Sequence, residues 1–457
     1  MKPVTKILLL LLLTFPLVPV SSQEASPFRQ LPPAQASLVE EYFKVFAKGD
    51  SASFRKFWEV YSAQPAPIPL EERLSRNAQV RSMIGAVTPL KVLNADDDQI
   101  TLQVRSEKQG MLRFEFNLVP GDPPRLRGIG IEQGGTQEVP RAPKSSFDEL
   151  AEDLDAYLQD EAKADRFSGV VMIVKDWKVE FNKAYGHRDR EKKVPNKPDT
   201  KFNLGSINKS FTALSIRQLA AKGKLSLDDR IGKFLPDYPN REAAEKVTVQ
   251  ELLDMTSGIG DIFGQRYAEM PKQKLMSVKD FLPLFADQPL LFEPGTQQRY
   301  SNGGYIVLGL IIEKVSGMSY YDYVRKNIFE PAGMKETASY PKAENTPNRA
   351  EGYTMQDSDG KLKSNYETLP GRGSSAGGGY STATDLLKYV KALDEAKICA
   401  KDDPMRNPFA IAGGAPGINS MLGWDPQRKI VIVVLTNFDP PTAQRVFQQI
   451  RSWMPEG

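Results

Sequence analysis

A serine and a lysine three residues apart, Ser206 and Lys209, lie in the run Asn203-Leu204-Gly205-Ser206-Ile207-Asn208-Lys209. On a helix this spacing puts both side chains on one face, so the lysine amine can reach the serine hydroxyl. A neutral amine can take the hydroxyl proton and make the oxygen a nucleophile, provided burial and neighbouring positive charge lower its proton affinity. The spacing alone is unspecific, since Ser53/Lys56, Ser339/Lys342 and Ser358/Lys361 repeat it. Only Ser206 follows an extended stretch, Thr200 to Leu204, and opens a long helix with Ile207, Phe211, Leu214 and Leu219 in an apolar period. The rest of the chain narrows the choice of base. With His187 as its one histidine, it has little room for a Ser-His-Asp triad. Cys399 alone forms no intramolecular disulfide and no Cys/His zinc cluster.

The elements that must position this pair come from both ends of the second half. Ser146 and Glu149 read as a capping box before a helix with Phe147, Leu150, Leu154, Tyr157 and Leu158 on one side. Val170 to Val174 is a β-rich run, and Lys178 to Phe181 is its expected hairpin partner. Far downstream, Ile430 to Leu435 has the composition of a buried strand, and Thr442 to Trp453 that of a closing helix. Strands at both ends of a long helical middle predict one α/β domain whose termini meet in a single sheet, with a helical insertion between.

The composition of the whole chain is ordinarily globular: 457 residues, 40% hydrophobic and 26% charged. That length suits two domains, and a net charge of +3 is too balanced to make nucleic acid or anionic lipid the main partner. Lys2 and Lys6 precede an apolar run from Ile7 to Val18 and a small-residue exit at Ser21 and Ser22. This pattern predicts a secretory signal peptide over 1–22, cleaved near Ser22, and a periplasmic or extracellular protein. The run is shorter than the roughly 20 residues that span a bilayer, so no membrane span is expected after cleavage. Residues 30–133 read as a small α+β domain. Helical faces at Leu38–Phe46 and Phe54–Tyr61 and a helix over Leu70 to Ile84 precede alternating strands such as Leu112 to Leu118. It resembles the NTF2-like (SnoaL-like) cone domains, and packing, dimerisation or partner binding is its expected role. Residues 134–146 read as a linker, and 147–457 as the second domain.

Downstream of Ser206, Glu293-Pro294-Gly295-Thr296 leads to Tyr300-Ser301-Asn302, then Gly303, Gly304 and a helix expected to start near Tyr305. Further ordered blocks are Val247 to Leu253 ending in Thr256-Ser257-Gly258, Glu330 to Met334, and Ser375 to Ser381. With these the chain resembles the serine β-lactamase and penicillin-binding-protein-like family, in its class C and esterase branch, over about residues 147 to 455. The resemblance implies an antiparallel β-lactamase/transpeptidase-like sheet flanked by helices. It implies Ser206 as the nucleophile of an acyl-enzyme, and Lys209 as a base or as the charge that holds Tyr300 partly ionised. Tyr300 would shuttle the proton, and Asn302 would bond a substrate amide or orient Lys209. No metal or organic cofactor is implied.

The family's Lys-Thr-Gly or His-x-Gly strand aligns here with Ile411-Ala412-Gly413-Gly414. The glycine backbone of Gly413 and Gly414 remains, with the Gly414 amide expected to pair with that of Ser206 as an oxyanion hole. The cation that would grip a substrate carboxylate is replaced by Ile411, which argues for neutral esters or small amides. Two readings follow. The first is an exported serine hydrolase acting on a small-molecule, peptide or ester substrate. The second is a catalytically impaired relative that binds cell-wall peptides or a partner protein in the same cleft.

Overall fold

The computed structural model describes residues 27–63, 70–107, 110–121, 123–133, 143–355 and 361–455. The expected leader and most of the expected linker lie outside these residues. The chain divides into two compact units between Gly134 and Gly135.

In the first unit, helices α1 (Pro33–Lys48), α2 (Ser51–Tyr61) and α3 (Leu70–Ile84) precede strands β1 (Val87–Ala95), β2 (Gln99–Ser106), β3 (Gly110–Val119) and β4 (Arg125–Gln133). The strands form an antiparallel meander in sequence order. Alternation places Leu112, Phe114, Phe116 and Leu118 inward, where Phe114 and Phe116 pack around the Tyr42 ring. It is a small, separate α+β unit.

The second unit is built on five antiparallel strands. They are β5 (Gly169–Lys175), β6 (Lys178–Tyr185), β7 (Phe409–Ala415), β8 (Ile418–Asp425) and β9 (Ile430–Thr436), in spatial order β7-β8-β9-β5-β6. The two ends of the domain meet where β9 pairs with β5, Val433 opposite Met172 and Val434 opposite Val171. Both faces of this pairing are covered, so both strands read as unbroken apolar runs rather than alternating ones. On one face Val171, Ile173 and Val434 pack under helix α4 (Phe147–Lys163) and the closing helix Thr442–Trp453, through Leu150, Leu154, Val446 and Ile450. On the other, Val170, Met172, Val433 and Leu435 share a core with Ile207, Phe211 and Leu214 of the segment that carries Ser206. Each such side chain contributes about 1.5–3 kcal/mol by leaving water. The helix that follows Ser206 is therefore anchored on the sheet by its own apolar face.

Three local expectations are corrected. The α4 cap is only half a box: the Ser146 hydroxyl accepts from Glu149 N, but the Glu149 carboxylate reaches back to the amide and hydroxyl of Ser145. The hairpin partner of β5 runs on to Tyr185, well past Phe181. The expected linker ends early, since Lys144 already donates its amide to Trp453 O at 3.0 Å and lays its ammonium over the Trp453 ring.

Candidate active site

Ser206 is held by a turn that only particular residues can form. A two-strand bridge pairs Phe202–Asn203 with Tyr380–Ser381, and a 3-10 turn over Gly205–Ile207 then leads into helix α5 (Asn208–Ala221). Gly205 turns the chain with φ +50°, in the left-handed region that glycine tolerates best. Its position is also crowded: a Cβ there would lie 2.8 Å from Gly414 N. From the other side, a Cβ on Gly413 would lie 1.9 Å from Leu204 O and 2.8 Å from Ser206 N. Strand β7 thus passes backbone to backbone against the nucleophile's turn, and any side chain at Gly205 or Gly413 would push them apart. Ser420 Oγ, on the neighbouring strand, donates to Leu204 O at 2.7 Å and fixes the turn further. This contact brings the backbone amides of Ser206 and Gly414 close together.

Lys209 lies one turn along, 6% exposed, with its ammonium nitrogen 3.2 Å from Ser206 Oγ and 2.7 Å from Asn302 Oδ1. It also donates to the carbonyl of Ala376. That carbonyl belongs to the loop Ser374–Gly379, which binds the start of α5 through Asn208 Nδ2 to Ser374 O and Thr212 Oγ1 to Ser375 O. Tyr300 comes from the helical insertion, half exposed, with its hydroxyl hydrogen-bonded to Ser206 Oγ. The Lys209 ammonium sits over the Tyr300 ring, 4.8 Å from its centre, and 5.5 Å from that of Tyr305.

The helix after Tyr300 begins at Asn302, not near Tyr305, and runs to Ser316. Glycine disfavours helix interiors, which weighs against a helix through Gly303-Gly304. The Ser301 side chain overrides this by accepting from Gly304 N at 2.9 Å, capping the helix at its first residue. Residues Asn302 to Ile312 are buried throughout, so the helix is held by tertiary packing. Tyr300 is left on the extended approach and Asn302 on the first turn, both facing Lys209.

Electrostatics bear on the two roles expected of Lys209. Burial pulls the Lys209 amine down from 10.5 to about 7, with the charge of Asp261 opposing the drop. Burial also pushes the Tyr300 phenol above its usual range, against the help of its bond to Ser206, and Asp261 pushes it further. Tyr300 is thus disfavoured as a standing tyrosinate, and the amine is the group poised to accept a proton near neutral pH.

All six residues expected at the site are brought together: Ser206, Lys209, Tyr300, Asn302, Gly413 and Gly414. The sequence reading missed the Ala376 carbonyl and Asp261. Asp261 accepts from Asn302 N at 3.1 Å and from Asn302 Nδ2 at 3.1 and 2.9 Å. It stands three residues past the Thr256-Ser257-Gly258 block, where the reading stopped. Ile411 is half-buried on β7, two residues before Gly413 and so on the same face of the strand, packed against the α5-side core.

The second unit resembles known proteins in sequence and fold. The family model described as Beta-lactamase matches residues 147–452. Penicillin-binding protein 4* of Bacillus subtilis is 32% identical over 273 residues, 57% of this chain and 59% of that protein. Protein flp of Staphylococcus aureus is 35% identical over 190 residues, 41% of this chain and 38% of its own length. The chain therefore spans less than two thirds of either relative. A crystal structure of a penicillin binding protein from Bacillus halodurans superposes with a TM-score of 0.59 at 28% identity, covering 67% of this chain and 99% of that one.

Proposed function

Because the chain belongs to the Beta-lactamase family, we propose that it is a serine hydrolase that cleaves neutral esters or small amides through an acyl-enzyme at Ser206. The observation that carries the reading is the buried Lys209 amine, 3.2 Å from Ser206 Oγ and drawn down to about 7. At neutral pH a large fraction of it is unprotonated and can take the hydroxyl proton as Oγ attacks the substrate carbonyl. The oxygen that gains charge faces the amides of Ser206 and Gly414. As the tetrahedral adduct collapses, the bond to the leaving oxygen or nitrogen breaks. The Tyr300 phenol, neutral and bonded to Ser206 Oγ, gives that atom its proton and regains one from Lys209. Water then repeats the sequence on the acyl-enzyme, releasing the acid and restoring the Ser206 hydroxyl.

Ile411 supports the choice of neutral substrates. An apolar side chain there offers no partner to a carboxylate, and a charge-assisted bond is worth about 1.5–3 kcal/mol. The apolar run from Ile7 to Val18 supports export. In this reading the first unit serves dimerisation or partner binding.

The test is labelling by a fluorophosphonate probe together with turnover of short-chain nitrophenyl esters, in the wild type and in Ser206→Ala. A mass adduct on Ser206 and turnover that vanishes in the variant are expected. An unlabelled Ser206, or turnover that survives in Ser206→Ala, would overturn the reading and favour a binding protein that uses the same cleft.

A further inference from the structure

The Asn302 side chain lies between a cation and an anion, and this settles its orientation by chemistry alone. Lys209 has only donors and the Asp261 carboxylate only acceptors. The amide oxygen must therefore face Lys209, at 2.7 Å, and the amide nitrogen must face Asp261, at 3.1 and 2.9 Å. The nitrogen is thereby turned to the carboxylate, both of whose oxygens lie within hydrogen-bond reach. Of the two roles expected for Asn302, orienting Lys209 is the one this bonding supports. Asp261 also accepts the Asn302 backbone amide and that of Phe263 at 3.0 Å, which ties the loop after Gly260 to the first turn of the Asn302 helix.

The groups that meet Lys209 from each packed element are few. Its own turn gives the Ser206 hydroxyl, the approach to the Asn302 helix gives Tyr300, and the helix itself gives Tyr305 and the Asn302 amide. The loop Ser374–Gly379 gives a neutral carbonyl. Among the described residues, the charge acting on it comes from Asp261, across the Asn302 amide.

We propose that Asp261 is a positioning residue for the nucleophile: it clamps the Asn302 amide so that its oxygen meets Lys209, and its negative charge raises the proton affinity of the Lys209 amine. The assignment rests on the serine-hydrolase reading above and deepens it. Burial draws the amine down, and the charge of Asp261 opposes that drop. A counter-ion held one amide away tunes the base without locking it in an ion pair.

The test reads Lys209 itself. The 13Cε resonance of Lys209 in 13C-lysine protein, assigned by its absence in Lys209→Arg, is followed across pH 5 to 9 by NMR. The Asp261→Asn variant keeps an acceptor for Asn302 but loses the charge, so the Lys209 midpoint is expected to fall by roughly 0.5–1 pH unit. Asp261→Glu, which keeps the charge, is expected to stay near the wild type. Asp261→Ser serves the same purpose should the Asn variant not fold. The acid limb of fluorophosphonate labelling at Ser206 is expected to move in the same direction. An unchanged midpoint in Asp261→Asn, or equal shifts in the Asn and Glu variants, would overturn the proposal. The midpoint is read without turnover. Failure of Ser206 to label would thus sink the hydrolase reading while the titration still decides the role of Asp261.

Discussion

Glu161 and Lys209 are equally hidden, 5% and 6% exposed, and they are held in opposite ways. Glu161, on α4, is gripped directly by two guanidinium groups. Arg166 reaches one oxygen at 3.0 and 2.6 Å, and Arg445 of the closing helix bonds the other. Burial pushes its carboxyl up, but the two arginines more than reverse this and hold it below the usual range. Lys209 is met by an amide oxygen, a carbonyl and a hydroxyl, all neutral, and its counter-ion stands one residue further off. Its proton affinity falls instead. The same burial thus gives a permanent charge in one place and a removable proton in the other. What decides is whether the opposite charge touches the group or reaches it through a dipole.

Removing Lys209 should produce the largest effect. Lys209→Met is expected to slow labelling and ester turnover by about 10³-fold, within the range for a lost general base. It should also leave a signature in stability. The folded amine titrates near 7 and the unfolded one near 10.5. Between those values the unfolded chain binds one more proton, so wild-type stability rises with pH by up to ~1.4 kcal/mol per unit from this group. The cost of burying the amine is complete below pH 7 and disappears above 10.5. Denaturant unfolding at pH 7 and pH 9 should therefore favour the wild type over Lys209→Met by about 2–3 kcal/mol more at the higher pH. An equal difference at both values would mean that Lys209 titrates normally, and the contrast with Glu161 would be lost.

The converse variant, Glu161→Gln, should cost about 2–3 kcal/mol of stability. That is less than the full penalty for breaking a buried pair, because Arg166 is half exposed and can turn to solvent. Unlike Lys209→Met, it should leave the acid limb of Ser206 labelling where it is. The wild-type carboxyl is held below its unfolded range, so its stabilisation is present at neutral pH and lost as pH falls through the carboxylate region. Acid unfolding of Glu161→Gln should lack that loss. A shift of the labelling limb in this variant would show that the two sites are coupled through the sheet.

What was legible in the sequence follows the same division between apolar packing and polar contact. Val170 to Val174 and Ile430 to Leu435 could be read as buried strands of one sheet, because covering both faces demands unbroken apolar runs, whereas their direct pairing emerges only in the fold. Thr442 to Trp453 could be read as the closing helix from its period. The Ser206/Lys209 spacing was readable but shared with other pairs, and only their surroundings separate them. Lys56 is exposed, and the Ser53 hydroxyl is bound between Asp50 and Lys48. Asp261 was not readable, since it meets Asn302 across 41 positions through the packing of a loop, which no local period records. The Ala376 contribution is a backbone carbonyl, which any residue would supply. The direction of the Tyr300 shift depends on burial, and burial exists only once the insertion has folded onto α5.

Ile411 gives the smallest expected effect and the sharpest test of substrate class. It lies on the face of β7 that, two residues on, touches the Ser206 turn through Gly413. Its neighbours Ala412 and Gly414 are exposed, so a longer side chain could keep its stem against the core and carry a charged head to the strand's open edge. Ile411→Lys is expected to raise kcat/KM for carboxylate-bearing esters about tenfold relative to their neutral counterparts, near the low end of the about 1.5–3 kcal/mol of one charge-assisted bond. Ile411→His should give the same preference only below about pH 6.5, where an exposed imidazole carries its proton, and lose it above. A Lys variant that speeds neutral and carboxylate esters alike would place position 411 outside the substrate's reach, and the preference for neutral substrates would then need another origin. A gain confined to the carboxylate series would tie that preference to a single side chain, separate from the buried amine that makes Ser206 reactive.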